Sequence, residues 1–303
     1  MSSHPAQSFR LALPALLTGA TAIGLAPIFV RLSELGPVAT AFHRLFLALP
    51  VLGLWLWLER RRRPVPVDRP ARKWLLITGL VFAADLTAWH WSITLTTVAN
   101  ATLLGNLAPV FVTLAGWALF AQRFSAGFLV AMAIAFAGTV VLVGDSLGFG
   151  RARLAGDLLG VLTAVFYAAY ILCVARLRAV VSTATVMFWS ALVCAIALLP
   201  VAVLSGENLL PATLYGWGVL VALAVVSHAG GQGLIAWALA HLSAAFGSVS
   251  LLWQPVAAAL LAWVILDESL GPWQLTGGVI VLAGIYLGRR TGDSRHISQG
   301  KAL

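Results

Sequence analysis

Ten apolar runs follow one another along the chain, parted by short polar or basic breaks. They lie at about residues 11–31, 38–58, 73–94, 98–120, 125–144, 156–176, 182–204, 214–237, 244–266 and 272–288. About 20 mostly apolar residues suffice for a helix to cross roughly 30 Å of hydrocarbon, so each run predicts a membrane span. The connections are too short to hold a soluble domain. The first run follows Arg10 like the core of a secretory signal, but it is longer than a usual signal core and lacks a clear cleavage site. It is therefore read as a span that stays in the protein.

The runs also repeat. A shift of 146 positions carries Ala99, Pro109, Val110, Leu114, Trp117, Leu129, Ile134, Ala137 and Gly138 onto Ala245, Pro255, Val256, Leu260, Trp263, Leu275, Ile280, Ala283 and Gly284. Trp91 falls on Trp237 and, one residue out of step, Thr18 and Arg31 fall on Thr163 and Arg176. The expectation is a five-helix half at 10–145, a second at 154–290, and a polar tail at 291–303. Duplication in a wholly apolar chain marks the folds of secondary transporters.

Composition agrees, with 61% hydrophobic residues, 10% charged and a mean hydropathy of +0.96. A net charge of +9 suggests a nucleic-acid partner until the charges are mapped. With a cytoplasmic N-terminus, 15 of the 19 Lys and Arg fall inside, including Arg60, Arg61, Arg62 and Arg63, and four fall outside: Arg31, Arg44, Arg151 and Arg153. The positive-inside rule then puts both termini in the cytoplasm, and no nucleic acid is needed to explain the charge. Because five is odd, the second half sits upside down relative to the first. The predicted fold is an all-α integral membrane protein, with ten transmembrane helices in two inverted five-helix repeats around a central cavity. Cys173 and Cys194 lie inside helices without metal or redox spacing, and neither a metal site nor a cofactor is expected. Nothing in the sequence sets the oligomeric state; a monomer is compatible with it.

Each half closes on a related pair of helices, "LAPVFVTLAGWALFAQRFSAGFLVAMAIAFAG" and "LLWQPVAAALLAWVILDESLGPWQLTGGVIVLAG", while "GPVATAFHRLFLAL" opens the second span and "GDLLGVLTAVFYAAYILCVARL" the sixth. Over about residues 10–290 the chain resembles the EamA family of the drug/metabolite transporter superfamily. It departs from that pattern at Gln122, where the second half has Glu268. The resemblance implies alternating access through a central cavity, and the overall form is similar to bacterial exporters of metabolites such as aromatic amino acids. No Gly-rich run ends in Lys-Ser or Lys-Thr, so an ATP-driven pump is not expected.

Candidate cavity residues are polar or aromatic groups at helical spacing. They are Thr102, Asn106, Thr113 and Trp117 in the fourth span, and Ser243, Gly247, Ser250 and Gln254 in the ninth. To these are added Asp85, Trp89 and Ser92 in the third, Thr163, Tyr167 and Tyr170 in the sixth, and His228 and Gln232 in the eighth. Polar groups facing lipid would lose their partners, so such stripes turn inward; the alternative is that they only join helices. Pro109 and Pro255 cannot donate to the carbonyls of Gly105 and Leu251, which predicts free acceptors and a bend, or else an inert kink. The glycines of "HAGGQG" weaken the eighth helix or let it pack closely.

Asp85 lies roughly 14 Å inside the third span, where a charge costs about 2.5–3.5 kcal/mol. His43 or Arg44 is in reach as a partner. Asp85 is read as a substrate-amine site or proton carrier, with a structural ion pair as the alternative, and Arg44 as structural. His90 is expected at the boundary. Asp157 should serve the start of the sixth helix, and Asp267 and Glu268 are read as boundary charges. Trp253, at mid-depth, is a candidate for the aromatic wall of the cavity, against simple packing. The expected substrate is a small amphipathic metabolite, foremost an aromatic amino acid, with lipid as the other partner. Alternatives are an organic-cation exporter using Asp85, a passive channel, or an intramembrane enzyme. For the last, Ser227 and His228 are adjacent and point apart.

Overall fold

A computed structural model describes residues 5–62, 67–144, 150, 153–267 and 270–292. Asp145, Arg151, Glu268 and the tail beyond 292 lie outside the described residues. Among the described residues all regular structure is helical. Nine helical units are long and apolar enough to cross a membrane: Leu11–Leu32, Pro37–Arg62, Arg69–Leu95, Asn100–Phe120, Ala126–Val143, Leu154–Arg178, Thr183–Leu204, Leu214–Ala238 and Ala244–Leu266. The tenth, Pro272–Gly292, is 21 residues long and packs along the fifth. Gln274, Arg289 and Arg290 lower its apolarity, and Gly277 and Gly284 permit that packing.

The repeat reappears as a pseudo-two-fold relation. A Cβ on Gly138 would stand 2.6 Å from the Val281 nitrogen, and one on Gly284 would stand 2.5 Å from the Ala135 nitrogen. Under the 146-residue offset Gly138 becomes Gly284 and Ala135 becomes Val281, so these are one contact seen from both sides. The fourth and ninth spans end alike, on Ala121 (φ 51°) and Asp267 (φ 53°), whose N–H groups reach back to the carbonyls of Gly116 and Ala262. Both pairs of positions again differ by 146.

Four spans are broken. Pro5–Gly24 gives way to Ala26–Leu32, Pro37–Phe46 to Leu49–Arg62, Val98–Gly105 to Ala108–Phe120, and Ala244–Ser250 to Trp253–Leu266. Pro27, Pro50, Pro109 and Pro255 stand in the first turn of the following segment, where a missing N–H has no intrahelical acceptor to fail. The expected free acceptor at Leu251 is not found, because the N–H of Gln254 donates to that carbonyl at 2.9 Å in a tightened turn. In the eighth span a π-helix covers Leu223–Gln232. Its wider turn brings Gly231 against the first span, where a Cβ would meet the Gly19 carbonyl at 3.0 Å.

The two ends of the bundle differ. At one, arginines lie over aromatic rings, Arg61 on Trp57 at 3.8 Å and Arg176 on Trp74 at 4.9 Å. At the other, carboxylates pin loops to helix starts. Asp157 accepts from Thr96 Oγ1 at 2.7 Å and Asn100 Nδ2 at 3.0 Å. Instead of serving only its own helix, as expected, it ties the sixth span to the turn between the third and fourth. Glu207, from the second half, accepts from the Ala39 N–H at 2.8 Å at the start of the second span. Glu34, from the first half, accepts from the N–H groups of Ala212 and Thr213 and from the Thr213 hydroxyl. The Thr213 hydroxyl, helped by those backbone donors, holds the Glu34 carboxyl below the usual carboxylate range.

Candidate functional site

A cavity of about 160 Å³ lies between the halves, on the order of ten times what one water requires. Both halves build it. Gly24 and Pro27 reach it from the first span at its break, Arg44 from the second, and Phe82, Asp85 and Trp89 from the third. The fourth adds Thr102, Gly105 and Asn106, again at a break. From the second half come Thr163 and Tyr167, then Gln232 at the end of the π-helix, and Gln254 with Pro255 at the break of the ninth span. Three of the four broken helices therefore end segments on this space. A helix break lets neighbouring turns present side chains to a centre that a straight helix would pass by.

One wall is an aromatic stack. Tyr167 and Tyr170 lie parallel at 6.2 Å, Tyr170 and Phe82 at 4.5 Å, and Phe82 and His228 at 5.8 Å. Gln232 Nε2 donates to the Tyr170 hydroxyl at 3.3 Å, and Asn106 Nδ2 to the Thr102 carbonyl at 2.8 Å. Several polar atoms on or near the wall have no protein partner: Arg44 Nε, Thr163 Oγ1, Gln254 Nε2 and both ring nitrogens of His228. Buried polar atoms normally find partners, so this concentration marks a place prepared for something polar. Among the described residues no three His, Cys, Asp or Glu side chains converge as a metal site would require.

The residues singled out from the sequence divide in two. Asp85, Trp89, Asn106, Tyr167, Gln232, Gln254 and Pro255 line the cavity. Tyr170 and His228 stand one layer behind, in the stack. Ser250 is buried and donates to its own helix at the Phe246 carbonyl, and Pro109 is buried beside the lining turn. Trp253 turns away: its Nε1 donates to Thr21 Oγ1 at 2.8 Å on the first span, so its place is helix packing. Trp117 is 65% exposed on the outer surface and Thr113 donates to the Pro109 carbonyl, so the fourth-span stripe reaches the cavity only through Thr102 and Asn106. His90 is buried at 3% exposure, its Nδ1 on the Leu86 carbonyl. His43 packs edge-on to Trp217, leaving Arg44 as the cation that shares the cavity with Asp85. Phe82 carries no helical polar pattern that could have flagged it. Arg44 was legible as an intramembrane charge but not as a lining group.

Relatives of this chain are transporters by name. An uncharacterized transporter of Archaeoglobus fulgidus is 27% identical over 271 residues, covering 86% of this chain and 91% of that one. The pseudopaline exporter CntI of Pseudomonas aeruginosa is 27% identical over 237 residues, 78% of this chain and 82% of its own. A probable terminal-alkyne amino-acid exporter of Streptantibioticus cattleyicolor is 28% identical over 242 residues, 75% and 78% of the two chains. A solved crystal structure superposes with a TM-score of 0.75 at 20% identity, covering 93% of this chain and 98% of that one, and so shares the fold. The EamA-like transporter family matches residues 10–144 and again 154–289. With two matched halves meeting at one shared cavity, the chain belongs to the EamA-like transporter family.

Proposed function

We propose that this protein is a secondary carrier that exports small amphipathic metabolites, amino acids and foremost aromatic ones, across a bacterial inner membrane by alternating access. The observation that carries the proposal is the cavity itself, built from both halves, with polar groups opposite an aromatic wall. The halves 10–145 and 154–290 rock about the pseudo-two-fold crossing, and 291–303 forms a cytoplasmic tail. Asp85, Trp89, Asn106, Tyr167, Gln232 and Gln254 touch the substrate, while Tyr170 and His228 back the wall. Both termini face the cytoplasm, as the split of basic residues requires. Export of small molecules by the named relatives supports the direction.

Asp85 also favours a second reading, an organic-cation exporter, but Arg44 in the same cavity opposes a lone cation. For enzyme chemistry the nearest pair, Ser227 and His228, is poorly placed, because the Ser227 hydroxyl donates to the Ala22 carbonyl at 2.8 Å. Counterflow in liposomes holding the purified full chain tests the proposal, with phenylalanine, tyrosine, small aliphatic amino acids and tetraethylammonium as substrates. Saturable exchange with overshoot of an aromatic amino acid supports it. Overshoot of tetraethylammonium with no amino-acid flux replaces it by the cation reading.

A further inference from the structure

Two ionisable groups of opposite sign face the cavity from adjacent spans, close enough to feel each other's charge but not joined in a direct ion pair. Arg44 comes from the second span and Asp85 from the third, and both line the same space. Among the described residues no ion pair joins them, and no protein donor reaches the Asp85 carboxylate. Arg44 leaves its enclosed Nε without a partner. Asp85 is 6% exposed. Inside a membrane an isolated charge is costly, and charges there usually pair with one another. Here the pair is held open.

We infer that Arg44 and Asp85 are the two poles of a zwitterion site, Asp85 taking a substrate ammonium and Arg44 its carboxylate. The inference rests on the carrier reading above and narrows its substrate to molecules bearing both charges on one small head, as an α-amino acid does. A lone cation would satisfy Asp85 and leave Arg44 buried beside a second positive charge. A lone anion would do the reverse. Only a zwitterion supplies both missing partners and adds no net charge to the cavity. The guanidinium suits the carboxylate, since its planar donors match two oxygens. Gln254, whose Nε2 is unpartnered, stands on the same cavity as a further donor. The side chain of the substrate then lies on the aromatic wall at Phe82 and Tyr167, in a cavity that Trp89 also lines.

The test compares three probes of one skeleton in proteoliposomes of the full chain: phenylalanine, phenethylamine and 3-phenylpropionate. Each competes for counterflow of whichever amino acid exchanges fastest. The zwitterion should compete at least tenfold better than either single-charge analogue, because each analogue forgoes one charge-assisted contact. Arg44→Gln should weaken the amino acid at least tenfold while sparing the amine, and Asp85→Asn should weaken it while sparing the acid. These ratios are measured within one folded preparation, so a mere folding defect does not move them. An amine or acid that competes as well as phenylalanine in the unsubstituted protein overturns the inference and leaves the carrier reading standing. So do variants in which all three probes change together. Absence of flux for every amino acid removes the amino-acid reading and this inference with it.

Discussion

Replacing Gly284 by alanine tests the close crossing of the fifth and tenth spans. The new Cβ would stand 2.5 Å from the Ala135 nitrogen and 2.6 Å from the Ala135 Cβ. Ordinary carbon contacts need about 3.5–4.0 Å, so the fifth and tenth spans must part by about 1 Å along a face packed backbone to backbone. Overpacking of this kind costs about 1–3 kcal/mol, and the higher helix propensity of alanine returns at most about 1 kcal/mol. A net loss of roughly 1–2 kcal/mol follows. The pseudo-two-fold demands the same of Gly138→Ala, whose Cβ would meet the Val281 nitrogen at 2.6 Å and the Gly277 carbonyl at 2.8 Å. Gly218→Ala, with nothing within 4 Å, serves as the control and should be neutral or slightly stabilising. Thermal unfolding of the purified protein in one detergent, followed by circular dichroism, reads all three. If only one of the crossing pair loses stability, or if both behave like Gly218→Ala, the symmetric crossing is refuted.

Asp157→Ala removes the carboxylate that accepts from both Thr96 and Asn100, and should cost about 1–3 kcal/mol; the melting temperature should fall while flux per folded molecule stays unchanged. Thr213→Val removes the largest cause of the low Glu34 pKa, and such a depressed carboxylate contributes stability above its unfolded pKa that is lost as pH falls through the folded one. Unfolding midpoints against pH should therefore show a smaller acid-side loss, complete at higher pH, in Thr213→Val than in the unsubstituted chain, and superimposable profiles would contradict it. Trp253→Phe removes the bond to Thr21 and should lower stability by about 1 kcal/mol without altering the ratio of aromatic to aliphatic flux. A changed ratio would place the indole in the cavity after all.

The membrane class, the ten spans and the duplication were legible because they depend on local apolarity and on an offset that sequence preserves. The same offset anticipated Gly138 with Gly284, though not that they meet at one crossing. Asp85 stood out because a charge deep in an apolar run is costly and calls for a partner. Trp253 was misplaced because neighbours on a helix point about 100° apart. Depth alone could not say which of Trp253 and Gln254 faced inward, and the break at Leu251 turned Gln254 to the cavity. Arg44 was legible as an intramembrane charge, but helix rise gives depth and no azimuth, so its place on the cavity lining was not. Glu34 and Glu207 were invisible as a pair of clasps, since each serves backbone groups nearly 170 or more residues away.

Alternating access is tested most directly by one cysteine in the cavity. In a Cys173→Ala, Cys194→Ala background, Asn106→Cys places a thiol on the lining, and a membrane-impermeant maleimide is applied from the outside of cells or to inside-out vesicles. The account predicts labelling from both faces, with transported substrate slowing one face and speeding the other. Labelling from a single face whatever the substrate, or equal labelling from both faces that substrate slows alike, would contradict a carrier whose cavity opens to one side at a time.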